Sequence, residues 1–254
     1  MIKYEKNRFG MEKPFSIHRN KKNIQFEAHL HRCFEFTYVE DGELTVEIEG
    51  KSETISKGFG ALILPNQLHS YKTNSYSLIS VTIFSPEMVG QFTKYLENNK
   101  PLGNIFEAQD LEIISENDIN NTFIIKSYLY KICGLFTEKV PFIDSREKKH
   151  IKNLMHDMLT FIDENYKDDC SLKTLAKKIG YDYAYLSKFF IKSIGINFSE
   201  YVNQYRIDYA CYLLKNTNDT ITEISHSCGF GTIRSFNRNF IRICGITPKL
   251  YRKG

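Results

Sequence analysis

From Ser171 to its end the chain carries one pattern twice, and this duplication restricts the fold more than any bulk property does. Ser171–Tyr181, SLKTLAKKIGY, aligns with Thr220–Phe230, TITEISHSCGF, at an offset of 49. Ser171 matches Thr220, Leu175 matches Ile224, Ala176 matches Ser225, and Gly180-Tyr181 matches Gly229-Phe230. One inserted residue then moves the offset to 50. Leu186 pairs with Phe236, Phe190 with Phe240, Gly195-Ile196 with Gly245-Ile246, and Tyr201 with Tyr251.

Each copy parses as helix, glycine turn, helix. Ser171 and Thr220 stand where a side-chain oxygen caps a first helix, and Thr220-x-x-Glu223 has the spacing of a capping box. Gly180 and Gly229 supply the positive φ that a short inter-helix turn needs. In the second helix, Leu186 and Phe190, or Phe236 and Phe240, are four apart and face a core. The opposite face presents Ala184, Ser187 and Lys188 in one copy and Arg234, Asn237 and Arg238 in the other. Such a helix fits the major groove, where Arg pairs with guanine, Asn with adenine, and Lys or Ser holds phosphates. Two such units read groove segments about one turn, ~34 Å, apart. The helix predicted over Phe198–Lys215 fixes their spacing, and Asn216-Thr217-Asn218 ends it.

The charge distribution agrees. The chain of 254 residues has a net charge of only +4, but the sum hides two surfaces. Residues 1–150 hold 19 Lys/Arg against 20 Asp/Glu, whereas the stretch from Ser171 holds 13 against 5. A neutral front and a basic tail point the tail at a polyanion. Hydrophobic residues at 42% and charged residues at 25% exclude a disordered chain, and no apolar run is long enough to span a membrane. The first residues, MIKYEKNRFGMEKPF, lack an apolar signal core and read as a cytoplasmic start. Six scattered cysteines without a CxxC pair read as reduced thiols.

The first 85 residues read as strands: Ile24–Leu30, Cys33–Val39, Leu44–Ile48, Phe59–Leu64 and Leu78–Phe84, punctuated by Asp41-Gly42, Glu49-Gly50 and Pro65-Asn66. Short antiparallel strands and tight turns suggest a small barrel or sandwich, whose interior the chain's many Phe and Tyr would fill or whose apolar ligand pocket they would line. Gly58-Phe59-Gly60 reads as a strand-edge turn. After Pro86 the period becomes helical, with helices predicted over 87–99 and about 118–137. Ile125, Leu129, Ile132 and Phe136 form a stripe on the second, which is either a dimer face or the side packed on its own barrel. Residues 139–149 are a polar candidate linker. A third helix, about 147–166, carries Ile151, Leu154, Met158, Phe161 and Ile162.

In LAKKIGYDYAYLSKFFIKSIGINFSEYVNQYRIDYACYLL and ITEISHSCGFGTIRSFNRNFIRICGITPKLYRK the chain resembles the AraC/XylS family of bacterial transcription regulators. The resemblance covers roughly residues 151–253, with Gly229-Phe230, Phe236, Phe240, Gly245, Thr247-Pro248 and Tyr251-Arg252 at family spacing. It implies recognition helices beginning near Tyr183 and Thr232, and a structural role for Arg206 in the connecting helix. The resulting candidate DNA contacts are Tyr183, Ala184, Ser187, Lys188, Lys192, Thr232, Arg234, Asn237, Arg238 and Arg242. Two departures stand out. Ser225 replaces the usual alanine, with a hydroxyl able to bond back to a carbonyl. Ala184 and Ser187 are small, so the second unit is expected to dominate specificity.

The N-terminal half holds His29-x-His31-x3-Glu35-x6-Gly42 and then Pro65-x3-His69, which resembles the two cupin motifs. Asn23 replaces the leading glycine of the first motif, and Leu64, Asn66 and Thr73 depart from the second. Three imidazoles and a carboxylate suit a divalent transition metal. The resemblance to the regulators implies instead that His29, His31, Glu35 and His69 line an effector pocket or serve as structural hydrogen-bonders, with no metal and no cofactor expected.

The expected architecture is α+β: an N-terminal cupin-like β-barrel followed by helices, then an all-α C-terminal domain with two helix-turn-helix motifs. Residues 1–138 form the effector and dimerisation domain, 139–149 the linker, and 150–254 the DNA-binding domain, with helix-turn-helix units at 171–195 and 220–245. The expected function is sequence-specific binding of double-stranded promoter DNA under a small-molecule effector. By resemblance the chain is an activator that works with RNA polymerase, as a homodimer and without a membrane. No GxGxxG, P-loop, GxSxG or HExxH motif is present, and the chain is not expected to be an enzyme. The competing reading is a metal-dependent cupin enzyme, or a metal- or redox-sensing regulator that uses His29, His31, Glu35, His69 and the neighbouring Cys33.

Overall fold

The computed structural model describes residues 3–4, 13–115, 117–144 and 154–253. The chain divides into two compact units, one of Pro14–Ile151 and one of Met1–Lys13 with Lys152–Gly254.

Strand β1 (Lys3–Tyr4) is a two-residue segment. The first unit is built on strands β2 (Phe15–Lys22), β3 (Gln25–Leu30), β4 (Phe34–Ile48), β5 (Lys51–Ser56), β6 (Phe59–Ile63), β7 (His69–Lys72) and β8 (Ser77–Phe84). Their pairings with one another are antiparallel. The N-terminal half of β4 lies between β6 and β8, and β2 extends that sheet beyond β8. Its C-terminal half lies between β5 and β7, with β3 beyond β7. One strand therefore serves two sheets, which is how the barrel folds over.

Asp41-Gly42 does not end a strand, as the sequence suggested, but bends this one. The register against β8 slips between Val39 and Asp41, the mark of a bulge. Glu35, Thr37 and Val39 share one face by odd parity. Beyond the bulge Leu44, Val46 and Ile48 face the interior by even parity. Gly42 has φ +76°, and a Cβ there would lie 2.3 Å from the Tyr76 carbonyl oxygen, so only glycine fits the bend.

The apolar residues fall into two clusters. Val39, Leu44, Val46, Ile48, Ile55, Ala61, Ile63, Tyr71 and Ile79 pack together as an aliphatic interior. Tyr71 apart, the buried aromatic residues of this unit pack elsewhere: Phe34, Phe36, Phe84, Phe92, Phe106 and Phe136 cluster with the apolar side of a helix. That helix, α2 (Thr122–Lys139), begins where Asn121 accepts bonds from the amides of Phe123 and Ile124. Its stripe of Ile125, Leu129, Ile132 and Phe136 is buried in the same cluster as Phe34 and Phe36. Of the two readings of the stripe, packing on its own barrel is the one observed.

Several short elements were not legible beforehand. The segment expected as one helix over 87–99 opens as a 3-10 turn at Pro86–Val89 and continues as α1 (Gly90–Asn98). Strand β9 (Asn99–Pro101) follows, and β10 (Ile105–Glu107) pairs with β6, so the sheet draws on residues beyond 85. Of the stretch expected to be a linker, Phe142–Asp144 forms β11 against β9. Residues 145–149 lie outside the described residues, as do Ile151 and the expected start of the third helix.

The second unit is helical: α3 (Leu154–Asn165), α4 (Leu172–Ile179), α5 (Tyr183–Ile194), α6 (Phe198–Asn216), α7 (Ile221–Ser227), α8 (Ile233–Cys244) and α9 (Pro248–Lys253). The duplication reappears as repeated capping chemistry. Ser171 caps α4 by accepting from Thr174 N, and Thr220 with Glu223 forms the full capping box of α7. Asp182 and Thr232, at matched positions, cap α5 and α8 through the amides of Tyr185 and Ser235. Gly195 and Gly245 close those helices in the left-handed region.

Helix α6 is the common packing partner of α5, α7, α8 and α9. Phe190 of α5 sets its ring 5.2 Å from Phe198 and 5.5 Å from Tyr201. On the other side Ile207, Ala210, Cys211, Leu213 and Leu214 pack with Ile224, Phe236 and Phe240. Arg206 is structural in its contacts. It donates to the Tyr166 carbonyl at 2.6 Å and the Asp168 carbonyl at 3.0 Å and lies over the Phe230 ring. None of the six cysteines is joined in a disulfide, and folding brings Cys211 and Cys244 to an Sγ separation of 3.7 Å.

Candidate functional site

The second helix of each unit buries one side and exposes the other. In α5, Leu186, Phe190 and Ile194 are buried, while Tyr183, Ala184, Lys188 and Lys192 are exposed and Ser187 is half-buried. In α8, Phe236, Asn239 and Phe240 are buried, while Arg234, Arg238 and Arg242 are exposed and Asn237 is half-buried. Every candidate contact therefore reaches the surface of its helix.

Two of the candidates carry other duties. The Thr232 hydroxyl oxygen accepts from Ser235 N at 3.1 Å as the cap of α8. Arg242 donates to Glu200 Oε1 at 2.9 Å and to Asn239 Oδ1 at 3.2 Å, tying α8 to the first turn of α6. Arg234, Asn237 and Arg238 are thus the polar core of the α8 face.

The α5 face has a feature that the spacing argument passed over. Tyr181, Tyr185 and Phe189, four apart, stack as a ladder with centroids 6.0 and 6.2 Å apart and interplanar angles of 17° and 18°. Tyr181 and Tyr185 are exposed. The i, i+4 spacing of three rings was the available signal. The first unit therefore offers aromatic rings and two lysines where the second offers arginines and an amide.

The Ser225 expectation fails. Its hydroxyl is fully buried and has no hydrogen-bond partner, so it does not bond back to a carbonyl. The surrounding packing leaves it an orphan polar group.

The second site lies in the barrel. His29 is the penultimate residue of β3, His31 follows that strand, Glu35 is the second residue of β4 and His69 opens β7, and all four are buried. One ligand atom from each lies within 4.8 Å of the others. The Nδ1 atoms of His29, His31 and His69 stand 2.8, 3.0 and 2.9 Å from the carbonyls of Glu27, Cys33 and Gln67. His31 Nε2 lies 3.1 Å from Glu35 Oε2, and His69 Nε2 lies 3.9 Å from Glu35 Oε1. Tyr71 Oη donates to Glu35 Oε1 at 2.8 Å and accepts from Thr37 Oγ1 at 3.0 Å. Burial, reinforced by the neighbouring His31 and His29, pulls the His69 pKa down to about 3 against the opposing pull of Glu35. Cys33 enters through its backbone, as the carbonyl partner of His31.

Comparison with known proteins accords with both halves. Residues 15–131 match the AraC-like ligand binding domain, and residues 175–254 match a helix-turn-helix domain. The chain is similar to the HTH-type transcriptional regulator YtdP of Bacillus subtilis, with 32% identity over 62% of this chain and 19% of that protein. It is also similar to the lactose operon transcription activator of Staphylococcus xylosus, with 29% identity over 57% of this chain and 50% of that protein. The chain thus spans half or less of the length of these curated relatives. Among solved structures, ToxT of Vibrio cholerae aligns over 95% of this chain and 98% of its own at 15% identity and a TM-score of 0.43. The chain belongs to the AraC family of transcription regulators, with a sheet-rich ligand-binding domain ahead of a helical helix-turn-helix domain.

Proposed function

We propose that the chain binds double-stranded promoter DNA sequence-specifically through two helix-turn-helix units and regulates transcription in response to a small molecule held by its barrel. The observation that carries this reading is the exposed face of α8, where Arg234, Asn237 and Arg238 project from a helix whose other side is fixed by Phe236 and Phe240. Those groups match the donor and acceptor pattern of base edges in the major groove. Tyr183, Ala184, Ser187, Lys188 and Lys192 of α5 supply the weaker half of the contact, and Thr232 and Arg242 flank the stronger half. Residues 171–195 and 220–245 are the two reading units, within a DNA-binding domain spanning 150–254. Residues 1–138, extended by β11, form the effector and dimerisation domain, with His29, His31, Glu35 and His69 in its pocket.

Activation, in concert with RNA polymerase, is the favoured sign of regulation, supported by the name of the Staphylococcus relative. A cytoplasmic location completes the reading, and a homodimer would have to use a face other than the buried stripe of α2. Among the described residues no helix is long and apolar enough to cross a membrane. The relatives are regulators, which supports a non-enzymatic role.

Selection of bound fragments from genomic DNA, followed by titration against salt, tests the reading. Affinity for a selected site should fall steeply between ~50 and ~200 mM salt and keep a preference over random duplex throughout. A protein that retains no preferred site at any salt concentration would sink the proposal.

A further inference from the structure

The barrel centre holds an excess of hydrogen-bond acceptors. A carbonyl only accepts, so the contacts of His29, His31 and His69 with Glu27, Cys33 and Gln67 place the ring proton on Nδ1 in each case. In a neutral ring Nε2 then carries a lone pair. His69 Nε2 is buried without any hydrogen-bond partner, and His31 Nε2 faces a carboxylate oxygen at 3.1 Å. A lone pair set against a carboxylate is repulsive unless a cation lies between them. A single proton on His31 would relieve that one contact and leave His69 Nε2 as it is.

We infer that His29, His31, Glu35 and His69 bind a divalent first-row transition-metal ion through three imidazole nitrogens and one carboxylate oxygen, inside the ligand-sensing barrel. Ligand atoms ~2.1 Å from an ion stand roughly 3 to 4 Å apart, so a cluster within 4.8 Å needs only a small contraction. The carbonyl partners of the Nδ1 atoms fix tautomer and ring orientation, the outer shell that metal-bound histidines have. Tyr71, itself held by Thr37, anchors the Glu35 carboxylate and leaves Oε2 turned toward His31. Imidazole-rich sets of this kind favour iron, manganese, cobalt, nickel or zinc over magnesium or calcium. The resemblance to family members implied a metal-free pocket, and the donor accounting argues against that here. The inference deepens the proposed regulatory reading by naming the chemistry at the effector site.

The test uses the full chain, purified without a histidine tag and stripped with chelator. It is then incubated anaerobically with Fe(II), Mn(II), Co(II), Ni(II) or Zn(II), one at a time. Elemental analysis after desalting should find about one ion per chain for at least one metal, with a rise in Tm that chelator reverses. His31→Gln and His69→Gln should each lower affinity by more than 10-fold and abolish the Tm rise. Tyr71→Phe keeps all four ligands and should weaken binding roughly 10-fold by freeing the carboxylate, which keeps the proposal testable if a histidine variant fails to fold. Wild-type protein with less than about a tenth of an ion per chain for every metal overturns it. So does retention of the ion with unchanged affinity in the histidine variants. Site-specific DNA binding by the same preparations is scored separately: loss there with the metal retained counts against the regulatory reading and leaves the metal centre standing.

Discussion

The two helix-turn-helix units share a plan and differ in surface and in support. Both open with a hydroxyl cap, turn on a glycine and close on a left-handed glycine, and both bury an apolar pair four residues apart. The local rules were copied together. What diverged is everything facing away from the shared core. Unit one shows a ladder of Tyr181, Tyr185 and Phe189 with Lys188 and Lys192 beside it. Unit two shows Arg234, Asn237 and Arg238. The turn glycines also differ. A Cβ at Gly180 would meet nothing within 4 Å, whereas one at Gly229 would lie 2.6 Å from the Lys167 carbonyl oxygen. Arg206 holds the neighbouring Tyr166 and Asp168 carbonyls against α6, so that backbone cannot easily retreat. A duplicated fold thus constrains its two copies unequally.

The largest expected effect probes the turns. Gly229→Ala combines a left-handed backbone with a backbone clash and should lose about 3 kcal/mol of stability. Gly180→Ala meets only the backbone penalty and should lose about 1 kcal/mol. Urea unfolding of the two full-length variants measures the gap, and equal losses would remove the asymmetry.

Next comes the reading surface. Arg238→Ala should cost about 1–3 kcal/mol at one base position of a selected site and relax preference there. Lys188→Ala should weaken binding nearly uniformly across sequences. Comparing selected-site pools for the two variants decides it, and broader relaxation from the lysine change would reverse the ranking of the units.

The smallest effect concerns the matched pair Ala176 and Ser225. Ser225→Ala removes a buried hydroxyl without a partner and should stabilise the protein by about 1 kcal/mol. A measured loss instead would mean that the hydroxyl is satisfied in solution.

Much of the helical half was legible because caps, glycines and i, i+4 pairs act within a few residues of one another. Ser171, Thr220, Gly180 and Gly229 announce their roles to any reader who lines up the copies. The barrel was less legible. The sequence reads Asp41-Gly42 as a turn, because bulges and hairpins use the same residues, and only pairing with β8 distinguishes them. The stripe on α2 looks the same whether it meets its own sheet or a second chain. Tyr71 does fill the barrel, but Phe34 and Phe36 do not, because alternation along β4 sets them on the face opposite Glu35 and Thr37, and nothing local says which face is inside.

The sequence by itself determined the duplicated helices, their ends and the side chains on their outer faces, since each depends on contacts along one turn of chain. Tertiary structure alone decided the rest. Glu200 of α6 meets Arg242 of α8, Lys167 closes on Gly229, and Glu35 meets His69 across a barrel that had first to bend at Gly42. Spacing along the chain carries no record of such meetings. They follow from how two sheets share one strand and how four helices pack on a fifth.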